Sequence, residues 1–90
     1  MEITVKINGR EVKASFVRSE EAGYRPGKLL LDLPSGDHIS VYRVGRTWIE
    51  AFVSGQICRR SVEHDTRKAA LNSAAEEYAA AVVDSEAFTA

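Results

Sequence analysis

With 90 residues the chain has room for one hydrophobic core, so a single domain spanning 1–90 is expected. At 44% hydrophobic and 28% charged residues its composition is that of a folded globular protein and excludes a disordered chain. Twelve Lys and Arg against thirteen Asp and Glu give a formal net charge of −1, which excludes bulk affinity for phosphate backbones unless the cations are segregated onto one face.

The first element is a hairpin. In ITVKINGREVKASF the pair Asn8-Gly9 separates two alternating runs, and both residues tolerate the positive φ of a type I′ turn. Counting outward pairs Ile7 with Arg10, Lys6 with Glu11, Val5 with Val12, Thr4 with Lys13 and Ile3 with Ala14. One face then collects Ile3, Val5, Ile7, Val12, Ala14 and Phe16, and the other sets Lys6 against Glu11. VRSEEAGYRPGK follows, polar and rich in turn formers, and is expected to be the longest irregular and most mobile connection.

KLLLDLPSGDHISVYRV predicts a second hairpin, Lys28 to Leu33 and His38 to Val44, closed by Pro34-Ser35-Gly36-Asp37. A bulge at Gly36 aligns Leu29, Leu31, Leu33, Ile39 and Val41 on one face and Leu30, Asp32, Ser40 and Tyr42 on the other. A Gly45-Arg46 turn leads into TWIEAFV, and Ser54-Gly55 turns the chain into QICRRSV. That pairing sets Phe52 opposite Ile57, Ala51 opposite Cys58, Glu50 opposite Arg59 and Ile49 opposite Arg60. Trp48, Glu50, Phe52, Ile57 and Arg59 fall on one face. Ile49, Ala51, Val53, Cys58 and Val62 fall on the other, the side expected to lie under the helix.

That helix is predicted over about 63–84, from DTRKAALNSAAEEYAAAVV, with Ser61, Asp65 or Thr66 as its cap. Leu71, Ala74, Ala75, Tyr78 and Val82 form one narrow stripe at helical spacing, and Glu63 stands four residues before Arg67, a favourable helical pair. The tail DSEAFTA is expected to fray, with Phe88 folding back. The expected fold class is α+β: an antiparallel sheet of about five or six meander-connected strands over about 2–62, with one long C-terminal helix packed on one face. One helix cannot cover so wide a sheet, so the second face is left for a partner, a second copy of the chain included.

Catalysis needs convergent groups, and the familiar sets are missing: there is no G-x-S-x-G elbow, no H-E-x-x-H and no glycine-rich phosphate loop opening a helix. His38 beside Asp37 and His64 beside Asp65 read as turn and cap chemistry rather than as a general base or metal ligands. The lone Cys58 excludes an internal disulfide and is expected to be a small buried hydrophobe. No catalytic residue, cofactor or metal is expected. The N-terminus carries no apolar leader, and no run reaches the ~20 apolar residues a membrane helix needs, so a cytoplasmic location without membrane contact is the expectation.

Two constellations point to binding. Tyr42, Trp48 and Phe52, with Arg43, Arg46, Arg59 and Arg60 near them in sequence, combine flat rings and planar cations on what is expected to be the sheet face away from the helix. The loop EEAGYRPGK presents Tyr24 between Arg25, Lys28 and an acidic patch, a composition suited to a partner contact. Separately, RKAALNSAAEEYAAAV resembles the C-terminal helix of double-stranded RNA-binding domains, in which a basic pair opens an alanine-rich helix after a three-stranded sheet. That resemblance implies that Arg67 and Lys68 clamp phosphates across a groove of A-form RNA. The chain departs from the family pattern at Leu71, where a further lysine is usual, and in having no helix before its sheet. HDTRKAAL is also similar to small antitoxin-like folds in which a hairpin leads through a threonine cap into one helix.

The functional expectation is a small non-enzymatic protein-binding module, such as an inhibitor of a host defence complex or an accessory protein of the kind carried by phages or mobile elements. Its contact residues are expected to be Tyr24, Arg25, Tyr42, Arg46, Trp48, Phe52 and Arg59. The alternative is an RNA or single-stranded DNA binding domain using Arg59, Arg60, Arg67 and Lys68.

Overall fold

The computed structural model describes residues 1–89. The element order is β1 (Glu2–Ile7), β2 (Arg10–Ser15), β3 (Val17–Arg18), a 3₁₀ turn at Ser19–Ala22, β4 (Leu29–Asp32), β5 (His38–Val44), β6 (Thr47–Ser54), β7 (Ile57–His64) and α1 (Arg67–Thr89). The fold is α+β. All pairings are antiparallel, but the strands divide into a β1-β2 hairpin and a five-stranded meander β3-β4-β5-β6-β7, with α1 packed against both.

The first hairpin has the predicted register, from Ile7 opposite Arg10 to Glu2 opposite Ser15, around Asn8 and Gly9 at φ 51° and 77°. Its apolar face delivers Val12, Ala14 and Phe16 to the core, with Ile3 and Val5 at the margin. Phe16 is the joint between the sheets, and its N–H donates to the Met1 carbonyl at 2.8 Å just before β3 pairs with β4. The second hairpin also follows the sequence: Leu29 opposes Val41, Leu31 opposes Ile39 and Asp32 opposes His38, with Gly36 at φ 93° in the connecting loop.

The third hairpin departs from expectation. Gly45-Arg46 makes a tight turn, so Val44 opposes Thr47, Arg43 opposes Trp48 and Tyr42 opposes Ile49. This register puts Trp48, Glu50 and Phe52 on the same face as Val41, Ile39 and Leu31, and that is the face α1 covers. Trp48 and Phe52 are therefore helix-side residues, partly buried against the core, and they do not share a face with Tyr42. Ile49, Ala51 and Val53 lie on the far side instead of beneath the helix. The last turn is Gly55-Gln56, with Ser54 opposite Ile57, and a bulge between Phe52 and Val53 leaves Arg59 as the extra residue of β7. Phe52 consequently opposes Arg60, and Glu50 opposes Val62.

The helix starts later and runs further than 63–84. Residues 63 and 64 still pair with β6, which removes the helical spacing that would have joined Glu63 to Arg67. Thr66 is the cap, its Oγ1 accepting the Ala69 N–H at 3.1 Å. No Gly or Pro interrupts the chain from Arg67 to Thr89, and the helix continues through the segment expected to fray. The predicted contact of Phe88 rests on a side chain outside those described. Ala70, Leu71, Ala74, Ala75 and Ala79 are buried, and the four alanines let the helix axis lie close to Leu31, Ile39 and Val41.

The far end of α1 is tied to the first hairpin by Arg10, whose guanidinium grips the Glu86 carboxylate. The Arg10 hydrogen bond, reinforced by its charge, holds the Glu86 carboxyl below the usual carboxylate range. A depressed folded-state value contributes stability above the ordinary carboxylate range, and that contribution is lost as pH falls through the depressed value. Amide exchange in the last turns of α1 should therefore speed up on acidification beyond the acid slowing of the intrinsic rate, and Arg10→Gln should abolish that pH dependence. An unchanged profile in the variant would show that the pair does not hold the helix end.

Candidate functional site

The sheet face that α1 leaves uncovered is not flat. The segment between β3 and β4 folds over one side of it and closes a groove of about 530 Å³, lined by Leu30, Ser40, Tyr42, Ala51 and Val53 from the strands, by Gly55, Gln56 and Cys58 from the last turn and β7, and by Tyr24, Arg25, Lys28 and His38 around them. Strand alternation explains this composition: Leu30, Ser40, Tyr42, Ala51 and Val53 are the residues whose neighbours in sequence form the core. Ser40 and Ala51, directly opposite each other, are small and form the low middle, while Tyr42 and Leu30 stand higher beside them.

The wall of the groove is organised rather than loose. Ser19, 1% exposed, opens the 3₁₀ turn, and its Oγ–H donates to the Arg25 carbonyl at 2.6 Å while its Oγ accepts the Lys28 N–H at 3.1 Å. The Ser19 N–H donates to the Lys28 carbonyl and the Tyr24 N–H to the Ser19 carbonyl, both at 2.9 Å. Gly23 ends the turn at φ 87°, a left-handed conformation that favours glycine. One buried hydroxyl thus closes the segment expected to be mobile, and it sets Tyr24, 65% exposed, on the groove's rim. No side-chain pattern in the sequence marked Ser19 for this task.

The electrostatics have one sign. Arg25 and Lys28 line the groove with no Asp or Glu among its lining residues; Asp32 lies in an adjoining depression with Tyr24 and His38. The Lys28 ammonium rests 4.5 Å from the centre of the Tyr42 ring, a cation–π contact at the groove wall. Cys58 is exposed on β7 and lines the groove, where the sequence pattern placed it under the helix; it does share a face with Ala51 and Val53, but the β5–β6 pairing turns that face away from α1.

Of the predicted contact residues, Tyr24, Arg25 and Tyr42 meet in this groove. Trp48 and Phe52 are on the other side of the sheet, with Phe52 roofed by the Arg60 guanidinium at 3.9 Å from its ring centre. Arg46 is exposed in the β5–β6 turn, and Arg59 is exposed at the bulge. The alternative nucleic-acid set is dispersed. Arg60 is engaged by Glu77 at 3.4 Å, and Arg67 opens α1 beyond the end of β7, which itself lies about 13 Å past Arg60 at about 3.3 Å per residue. His64 is also placed differently from expectation: it ends β7 and its Nε2 lies 3.0 Å from the buried Glu50 Oε1.

No protein-family model, no curated protein and no solved structure matches this chain. The resemblance of the helix to double-stranded RNA-binding domains gains no support from these comparisons, and no helix precedes the sheet among the described residues. No described helix is long and apolar enough to cross a membrane.

Proposed function

We propose that the chain is a small binding module that holds an extended segment of another protein in the groove beneath Tyr24, without catalysing a reaction. The observation that carries this reading is the groove's chemistry: an apolar floor of Leu30, Ala51 and Val53, aromatic walls of Tyr24 and Tyr42, and two cations with no carboxylate among the lining residues. Tyrosine contributes large contact area with little rotamer entropy to lose, which is why it recurs at the energetic centre of interfaces. The complementary occupant is an apolar segment flanked by Asp or Glu, because desolvating Arg25 and Lys28 without an opposite charge is costly. A module of this kind acts by occupying a surface of its partner, as an inhibitor or accessory protein does.

The test uses short extended peptides that combine Leu or Phe with Asp or Glu, and matched peptides carrying Lys in the acidic positions. Amide shifts are expected at Ser40, Tyr42, Ala51 and Val53 with the acidic set alone, and the double charge reversal Arg25→Glu with Lys28→Glu should weaken binding at least ~10-fold, or about 1.4 kcal/mol. Equal binding of the lysine peptides, or shifts confined to the helix side, would overturn the reading.

A further inference from the structure

A second cleft lies on the helix side of the same sheet, where α1 begins. Arg18, Lys28 and Arg67 line it with Glu20, Leu29, Val41 and Trp48, around a volume of about 240 Å³. The cations come from three separate places in the chain: Arg18 ends β3, Lys28 precedes β4 and Arg67 opens α1. Arg43 stands directly opposite Trp48 across the β5–β6 pair, adding a fourth cation at this end. Neither the Arg18 nor the Arg67 side chain takes part in an ion pair or hydrogen bond among the described residues, and the Trp48 indole N–H likewise has no acceptor there.

We propose that this cleft is a binding site for a phosphate group. Three cationic residues and one carboxylate, Glu20, line the cleft, so the fold concentrates positive charge that an anion would relieve. Two guanidinium forks match the oxygens of a tetrahedral oxyanion in bidentate fashion, while the Lys28 ammonium is a movable point charge that can turn from the Tyr42 ring into the cleft. The half-buried indole supplies a further donor and an apolar edge against which the ester group of a phosphate monoester rests. The site lies on the opposite face of the sheet from the proposed groove and shares one residue with it, Lys28.

Trp48 is the chain's single tryptophan, so its fluorescence and its indole N–H resonance report on this cleft alone. The experiment titrates the full chain at constant ionic strength with inorganic phosphate, a nucleoside monophosphate and a ten-nucleotide single strand, against sodium chloride as reference. A saturable shift of the indole resonance is expected, weakened at least five-fold by Arg18→Gln or Arg67→Gln and abolished in the double variant, with Arg59→Gln unchanged. The three residues are exposed, so an amide spectrum like that of the wild type certifies that each variant is folded. Saturation by phosphate and the monophosphate identifies a free small-molecule ester as the source; saturation by the strand alone, still lost in the double variant, identifies a polymer phosphate. A response equalled by chloride, or binding that survives in the double variant, overturns the proposal.

Discussion

Glu50→Ala is expected to lower the free energy of unfolding by about 3–5 kcal/mol, as breaking a buried polar pair from one side does. Glu50 is 0% exposed on the central strand β6, and its Oε1 accepts the Ser73 hydroxyl at 2.7 Å from α1 while lying 3.0 Å from His64 Nε2 at the end of β7. One carboxyl oxygen therefore joins three elements across the helix–sheet interface. Its other oxygen, Oε2, is buried with no partner among the described residues. Alanine would leave the Ser73 hydroxyl without its acceptor and His64 without its partner, and would open a void, costs that add. Glu50→Gln keeps an acceptor for Ser73 and should lose only about 1 kcal/mol. Glu50→Leu combined with Ser73→Ala removes the buried polar requirement along with the carboxyl and should recover most of the loss. Urea unfolding, read as a change in midpoint at constant slope, checks the series. A loss below about 1 kcal/mol for the alanine variant would mean that this contact contributes little.

Glu50 also shows how far the sequence discloses the structure. The first two hairpins are legible because their turns are determined locally: Asn8-Gly9 admits one register, and the Leu29-Leu31-Leu33 alternation sets the face of the second. Alternation within β6 alone does not decide whether the face bearing Trp48 and Phe52 meets the helix. Carried through the tight Gly45-Arg46 turn, the same alternation places Arg43 opposite Trp48 and so joins Trp48, Glu50 and Phe52 to the leucine face. A glutamate between Trp48 and Phe52 on an apolar stripe, together with Ser73 among the alanines of the helix, was the available sign of a buried polar link. The bulge at Arg59 has no comparable sign, since it adds a residue without a glycine or proline to mark it. For the groove, the sequence indicated Tyr24, Arg25 and Tyr42. It could not indicate Ser19, whose role depends on the carbonyl and N–H that the folded segment brings to its hydroxyl.

Ala74→Leu is the second large effect, with an expected loss of about 1–3 kcal/mol from overpacking. Ala70, Ala74, Ala75 and Ala79 are all 0% exposed, so the helix meets the sheet through methyl groups, and a longer side chain there must push the two layers apart or leave its preferred rotamer. Leucine and alanine have similar helix propensity, so the loss reports packing rather than helix formation. Ala69→Leu, one residue before the buried run and exposed, is the matched control and should stay within about 0.5 kcal/mol of the wild type. For a domain of this size each kcal/mol corresponds to roughly 4–8 °C in Tm. The two sheet faces also separate stability from binding. Ala74 and its neighbours lie against Leu31, Ile39 and Val41, whereas the groove is formed by the alternate residues Leu30, Ser40 and Tyr42. Well below its lowered Tm, Ala74→Leu should therefore bind the acidic peptides within about two-fold of the wild type (about 0.4 kcal/mol). A parallel loss of binding and stability would mean that the helix shapes the groove through the sheet, and the division of labour between the two faces would fail.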